Sequence, residues 1–170
     1  MNKLNANLEF IADFTYGYST LEEFIKLVKN THNIFKDFEH LQRFVIEVSF
    51  CKMYIALKSI HSICREKNVS KELENTILNS FVAAFVKKMD STGLKIDVEM
   101  VNSKCKVYGN LGGIYGERIN ENPIYCYASA VCGLSGIDPK HEDSETLHDE
   151  LEIELCATID YVETCLGTSL

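Results

Sequence analysis

The stretch DFEHLQRFVIEVSFCKMYIALKSIHSICREK, Asp37 to Lys67, decides the fold. It contains no Gly or Pro, and its polar positions His40, Arg43, Glu47, Tyr54, Lys58, His61 and Arg65 recur at helical spacing. At about 100° per residue they share one stripe that covers roughly a quarter of a helix circumference. Leu41, Phe44, Val48, Phe50, Met53, Ile60 and their neighbours occupy most of the rest. A helix apolar over so much of its surface belongs inside a protein, with other helices packed around it. The expected fold is therefore mainly α, a single domain of 170 residues with five to seven helices around a central one.

Outward from that helix, the same periodicity sets the neighbours. Leu4, Leu8, Ile11 and Ala12 predict a short opening helix that breaks at Tyr16-Gly17-Tyr18. Ser19 with Glu22, or Thr20 with Glu23, can form a capping box for a helix to about Asn30. Downstream, Ser70 is the expected cap of a second core helix to about Ser91, with Ile77, Phe81, Phe85 and Met89 on its apolar face and Gly93 at its end.

Leu94, Ile96, Val98 and Met100 then alternate with charged residues. This pattern predicts a small β-hairpin over about Leu94 to Tyr108, or else a further amphipathic helix over Ile96 to Val101. Gly109 to Gly116 reads as a loop. Asn122-Pro123 starts a short helix toward Gly133, and Asp138-Pro139 starts a last one, whose Leu147, Leu151, Leu155, Ile159, Val162 and Leu166 form a narrow stripe ending at Gly167.

Composition narrows the function classes. A net charge of −8, from 25 acidic and 17 basic residues, disfavours nucleic acid and anionic membranes and favours a basic protein partner. Seven cysteines, an odd number without a CxxC, argue for reduced thiols rather than a disulfide framework. Met1 to Phe14 lacks a positive flank followed by an apolar run, so the cytosol is the expected compartment.

Motifs of chemistry are incomplete. The glycine segment 109–116 is followed by Glu117 and Arg118, not by the Lys-Ser/Thr of a phosphate-binding loop. Glu145 and His148 share a helix face, as in di-iron bundles, but no second Glu-x-x-His accompanies them; His61 and Cys64 likewise lack companions. The expectation is no metal, no cofactor and no identified catalytic residue.

More informative is the gathering of tyrosines around glycines. Tyr108, Tyr115, Arg118 and Tyr125 are the expected partner-binding residues, because Tyr and Arg offer large contact area and dominate binding hot spots. The functional expectation is an acidic interaction module, in its concrete form an inhibitor or immunity-type protein that covers the basic active site of a toxin or nuclease. A second reading is an enzyme or small-molecule binder with a pocket between the central helix and Gly109–Gly116, lined by His40, Glu47, Tyr54 and His61. A third is a helical homo-oligomer joined through apolar surface left on Asp37–Lys67.

Overall fold

The computed structural model describes residues 2–16, 34–167 and 169–170. The described residues form helices only: α1 (Asn2–Thr15), α2 (Phe38–Glu66), α3 (Lys71–Ser91), α4 (Val98–Gly109), α5 (Gly112–Tyr115), α6 (Arg118–Glu121), α7 (Pro123–Ser135) and α8 (Ser144–Leu166). The turn at Gly17-Tyr18 and the helix expected over Thr20–Asn30 lie outside the described residues.

The central helix α2 runs 29 residues, about 43 Å at 1.5 Å per residue. Its start is set by Asp37, whose carboxylate accepts from the His40 amide at 2.7 Å. Helices α1, α3, α4, α7 and α8 all pack on it. Phe44, Val48, Phe50, Met53 and Ile60 are fully buried as a result, and Phe38 is the one large apolar side chain of α2 left exposed. Leu41, Val45, Ile46 and Leu57 of the same helix are half-buried.

The flanking helices follow their sequence signals closely. Ser70 caps α3, Gly93 takes a left-handed φ of 86° just beyond it, and Ile77, Phe81, Phe85 and Met89 are buried. On α1, Leu8, Ile11 and Ala12 face inward against α3 and α8. Asn7 donates to Ser169 Oγ at 2.8 Å and so ties the first helix to the C-terminus.

Four boundaries differ from expectation. Residues 98–109 form α4, not the strands of a hairpin. Asp97 accepts from the Met100 amide at 2.8 Å, and the buried residues are Val101 and Tyr108, seven apart, while Val98 and Met100 of the alternating set are exposed. An isolated hairpin has no sheet on which to bury its apolar face, whereas a helix can lay one stripe on α2. The glycine segment is not a plain loop but holds α5, separated from α6 by Gly116 at φ 59°. Helix α7 runs past Gly133 to Ser135, and it is Gly136, at φ 79°, that ends it. Helix α8 begins at Ser144, because Asp138 and Pro139 open a turn in which Asp138 accepts from the Lys140 amide at 2.9 Å.

Candidate functional site

The polar stripe of α2 does not line one pocket. His40 is buried and both ring nitrogens are engaged: Nδ1 accepts from the Lys36 amide at 3.2 Å, and Nε2 lies 3.0 Å from the Ser135 carbonyl, to which it donates in that tautomer. Glu47 is buried beneath α4, ion-paired with Lys104 and 3.2 Å from the Tyr108 hydroxyl, which also reaches the Glu47 carbonyl at 3.1 Å. Tyr54 packs against Tyr108 and Tyr127, with ring centroids 6.0 and 5.8 Å away. His61 points outward and pairs with Glu74 of α3. Tyr108 joins Glu47 to Tyr54, whereas His40 and His61 are engaged elsewhere, so the four form no common site.

Of the expected partner-binding residues, Tyr108 is 1% exposed and belongs to the core. Burial pushes its phenol and that of Tyr127 well above the ordinary range, so both remain neutral donors. The amides of the glycine segment are not available to cradle an anion. Gly113, Ile114, Tyr115 and Gly116 all donate back to carbonyls of residues 110–112.

Tyr115 and Tyr125, by contrast, are brought to one place. The rings of Tyr125 and His148 lie 4.5 Å apart at 50°, and the Tyr115 phenol is close enough to Tyr125, Cys126, Ser129 and Cys132 of α7 to be influenced by them. Burial raises the Tyr115 phenol, which keeps it protonated. Arg118 is exposed nearby; its cation draws the Cys126 thiol down against the larger upward effect of burial.

His148 lies at the centre of this group. Its Nε2 is 2.9 Å from Ser129 Oγ of α7, and its Nδ1 is 3.0 Å from Glu152 Oε1, one turn further along α8. An ionised Glu152 can only accept, which assigns the proton to Nδ1 and leaves Nε2 to accept from the Ser129 hydroxyl. Asp149 is the third potential ligand close to this imidazole, but hydrogen bonds already engage both nitrogens. Beside the group opens a cleft of about 540 Å³ between α7, α8 and the 136–143 turn, with Tyr125, Cys132, Ile137 and Pro139 among its walls.

Along α8 the carboxylates continue. Glu145, Asp149, Glu152, Asp160 and Glu163 fall on one stripe, with Ile153 at its edge, 66% exposed. From Asp138 to Leu166 there are ten acidic residues against the single Lys140, so this stretch exceeds the net −8 of the whole protein. The arrangement is locally unfavourable to the helix. Glu145–Asp149 and Asp149–Glu152 are like-charge neighbours, and the last turn carries Glu163 with no basic residue to meet the helix dipole.

A second cleft, of about 590 Å³, lies between the C-terminal half of α2, the start of α7 and the end of α8. Ile55, Ile63, Ile124 and Tyr127 line it together with Lys58 and Lys67. All seven cysteines are free thiols; Cys51, Cys64 and Cys126 are buried, whereas Cys156, which reads in sequence as a small hydrophobe, is exposed. No helix among the described residues is long and apolar enough to cross a membrane. Comparison with protein-family models, curated proteins and solved structures finds no match.

Ser129 escaped sequence reasoning because its partner is 19 residues away on another helix. The pair His148–Glu152, four apart, is the signal that the sequence carries; the Glu145-x-x-His148 spacing points to the other side of the same histidine.

Proposed function

We propose that this protein is an acidic interaction module that engages a basic surface of another protein through the exposed face of α8 and the adjoining Tyr125. The observation that carries this reading is the concentration of negative charge on one helix face, with exposed Ile153 at its edge. A basic partner would relieve the like-charge neighbours and the uncompensated C-terminal end of α8. Exposed Ile153 and Tyr125 would supply the apolar anchors that charge alone does not. In its finer form the module is an inhibitor or immunity-type protein whose carboxylates cover a cationic active site, with complementary charge accelerating association.

The test begins with native mass spectrometry of the protein purified gently from its own cells, and continues with association rates at rising salt. An added protein mass, and an on-rate that falls with salt and on Asp149→Lys or Asp160→Lys, are the expected results. Tyr125→Ala should weaken the complex by about 1–3 kcal/mol and leave the thermal midpoint in place. A bare monomer, or an on-rate indifferent to salt, would remove the basis of the proposal.

The 590 Å³ cleft favours one alternative, a small-molecule binder. Its size is that of a ligand pocket, and Ile55, Ile63, Ile124, Tyr127 and Ile159 suit a small apolar molecule, with Lys58 and Lys67 offset by Glu66 and Glu163 in the same lining. Thermal midpoints measured with a series of small apolar ligands would rise in a concentration-dependent way if this cleft is the site, and would stay flat otherwise.

A further inference from the structure

The contacts of Ser129 go beyond what a docking surface requires. A serine inside a helix can satisfy its hydroxyl on the carbonyl one turn back, as Ser135 does on Val131 at 2.7 Å. Ser129 instead meets the Nε2 of His148 at 2.9 Å, and the Nδ1 of that ring meets a carboxylate at 3.0 Å. The order hydroxyl, Nε2, Nδ1, carboxylate is the one that lets an imidazole take a hydroxyl proton while an anion holds the ring in the required tautomer. The ring is held further by Tyr125, and its side chain is only 16% exposed. The hydroxyl therefore has a base with a fixed lone pair, next to a cleft large enough for a small substrate.

We propose that Ser129, His148 and Glu152 form a nucleophilic site that cleaves small uncharged carboxylic esters bound in the cleft between α7 and α8. Ser129 Oγ attacks the ester carbonyl carbon and its proton passes to His148 Nε2. The acyl carbon–oxygen bond of the ester then breaks, and the departing alcohol takes that proton, leaving an acyl group on Ser129. Water repeats the sequence: its proton goes to Nε2, its oxygen joins the acyl carbon, and Ser129 recovers its proton as the carboxylic acid departs.

Glu152 acts as a positioning residue, stabilising the imidazolium in each half. The amides of α7 are committed to the helix and donate nothing to the oxyanion, which is why turnover is expected to be slow. Tyr125, Cys132, Ile137 and Pro139 offer an apolar wall to the acyl group, while Glu145 and Asp149 beside the cleft disfavour anionic esters.

The experiment is labelling of the full-length protein with an alkyl fluorophosphonate, read as intact mass and by peptide mapping. One phosphonyl group on Ser129 with loss of fluoride is expected, together with slow turnover of p-nitrophenyl butyrate. Ser129→Ala should abolish both, and His148→Ala should slow labelling on the order of 10²-fold or more. Glu152→Gln should fall between wild type and His148→Ala, with Glu152→Asp recovering part of the loss at an unchanged thermal midpoint. Because Glu152 is on the helix surface, that series remains informative even if Ser129→Ala fails to fold. The proposal is overturned if the wild type takes no label, if the label maps to another residue, or if the Glu152 variants all label at the wild-type rate.

Discussion

At the scale of single residues, the polar groups buried in this bundle are each matched by a specific partner. The clearest case is Lys52, whose side chain is fully buried and ion-paired with Glu154 of α8, with its ammonium 4.5 Å from the centre of the Phe14 ring. Removing Glu154 takes away one of the groups that meet the buried ammonium, so Glu154→Ala should lower stability in chemical denaturation by about 1–3 kcal/mol. Replacing both together, as Lys52→Met with Glu154→Leu, should cost far less, because the desolvation of two ions is removed along with their attraction. Equal losses in the single and double variants would mean that the pair matters through packing and not through charge. His40 and Glu47 show the same matching. Their type and spacing were legible in the sequence, but Ser135, Lys104 and Tyr108, which engage them, come from α7 and α4 and carry no local sign of it.

At the scale of elements, caps were the most legible feature and short alternating runs the least. Asp37, Ser70 and Asn122 cap as their side chains suggest, each accepting from an amide three residues on. Asp97 does the same for α4, and its cap helps convert an alternating run into a helix. Loss of this cap in Asp97→Ala should destabilise the protein by about 1 kcal/mol, seen as a lower denaturant midpoint with an unchanged slope. No change would mean that the contacts of Lys104 and Tyr108 with Glu47 hold α4 without help from its first turn. The end of α7 differs from its sequence signal for a related reason. Gly133 tolerates helical geometry, and the residue that needs a positive φ is Gly136, where the chain turns beside His40, whose Nε2 would lie 4.0 Å from an added Cβ.

At the scale of the whole molecule, burial of neutral thiols and phenols governs the response to alkali. Burial raises Cys132 from 9.0 to about 11, and Tyr108 and Tyr127 are raised further by the same cause. Above pH 9 the unfolded chain has lost protons that the folded one retains, so stability falls as pH rises. For Cys132 the contribution is complete below pH 9.0 and is lost by about pH 11. Denaturant midpoints measured from pH 8 to 11 should decline over this window, and Cys132→Ala should make the early part of the decline shallower. A flat profile would show that these groups titrate alike in both states. Charge is distributed unevenly at this scale too, with the excess of acid confined to the last helix and the turn before it while the remainder of the chain is close to neutral.

The sequence by itself determined the helical class, the central position of α2, most inward faces and the caps, because these follow from spacing along one chain and from side chains reaching their own backbone. Tertiary structure decided the rest. Packing on α2 selected helix over hairpin for residues 98–109, gave His40 and Glu47 of the polar stripe their partners from α7 and α4, and placed Tyr108 inside. It also set Ser129 of α7 against His148 of α8, since a hydrogen bond between two helices depends on how they cross, and neither helix encodes that crossing alone.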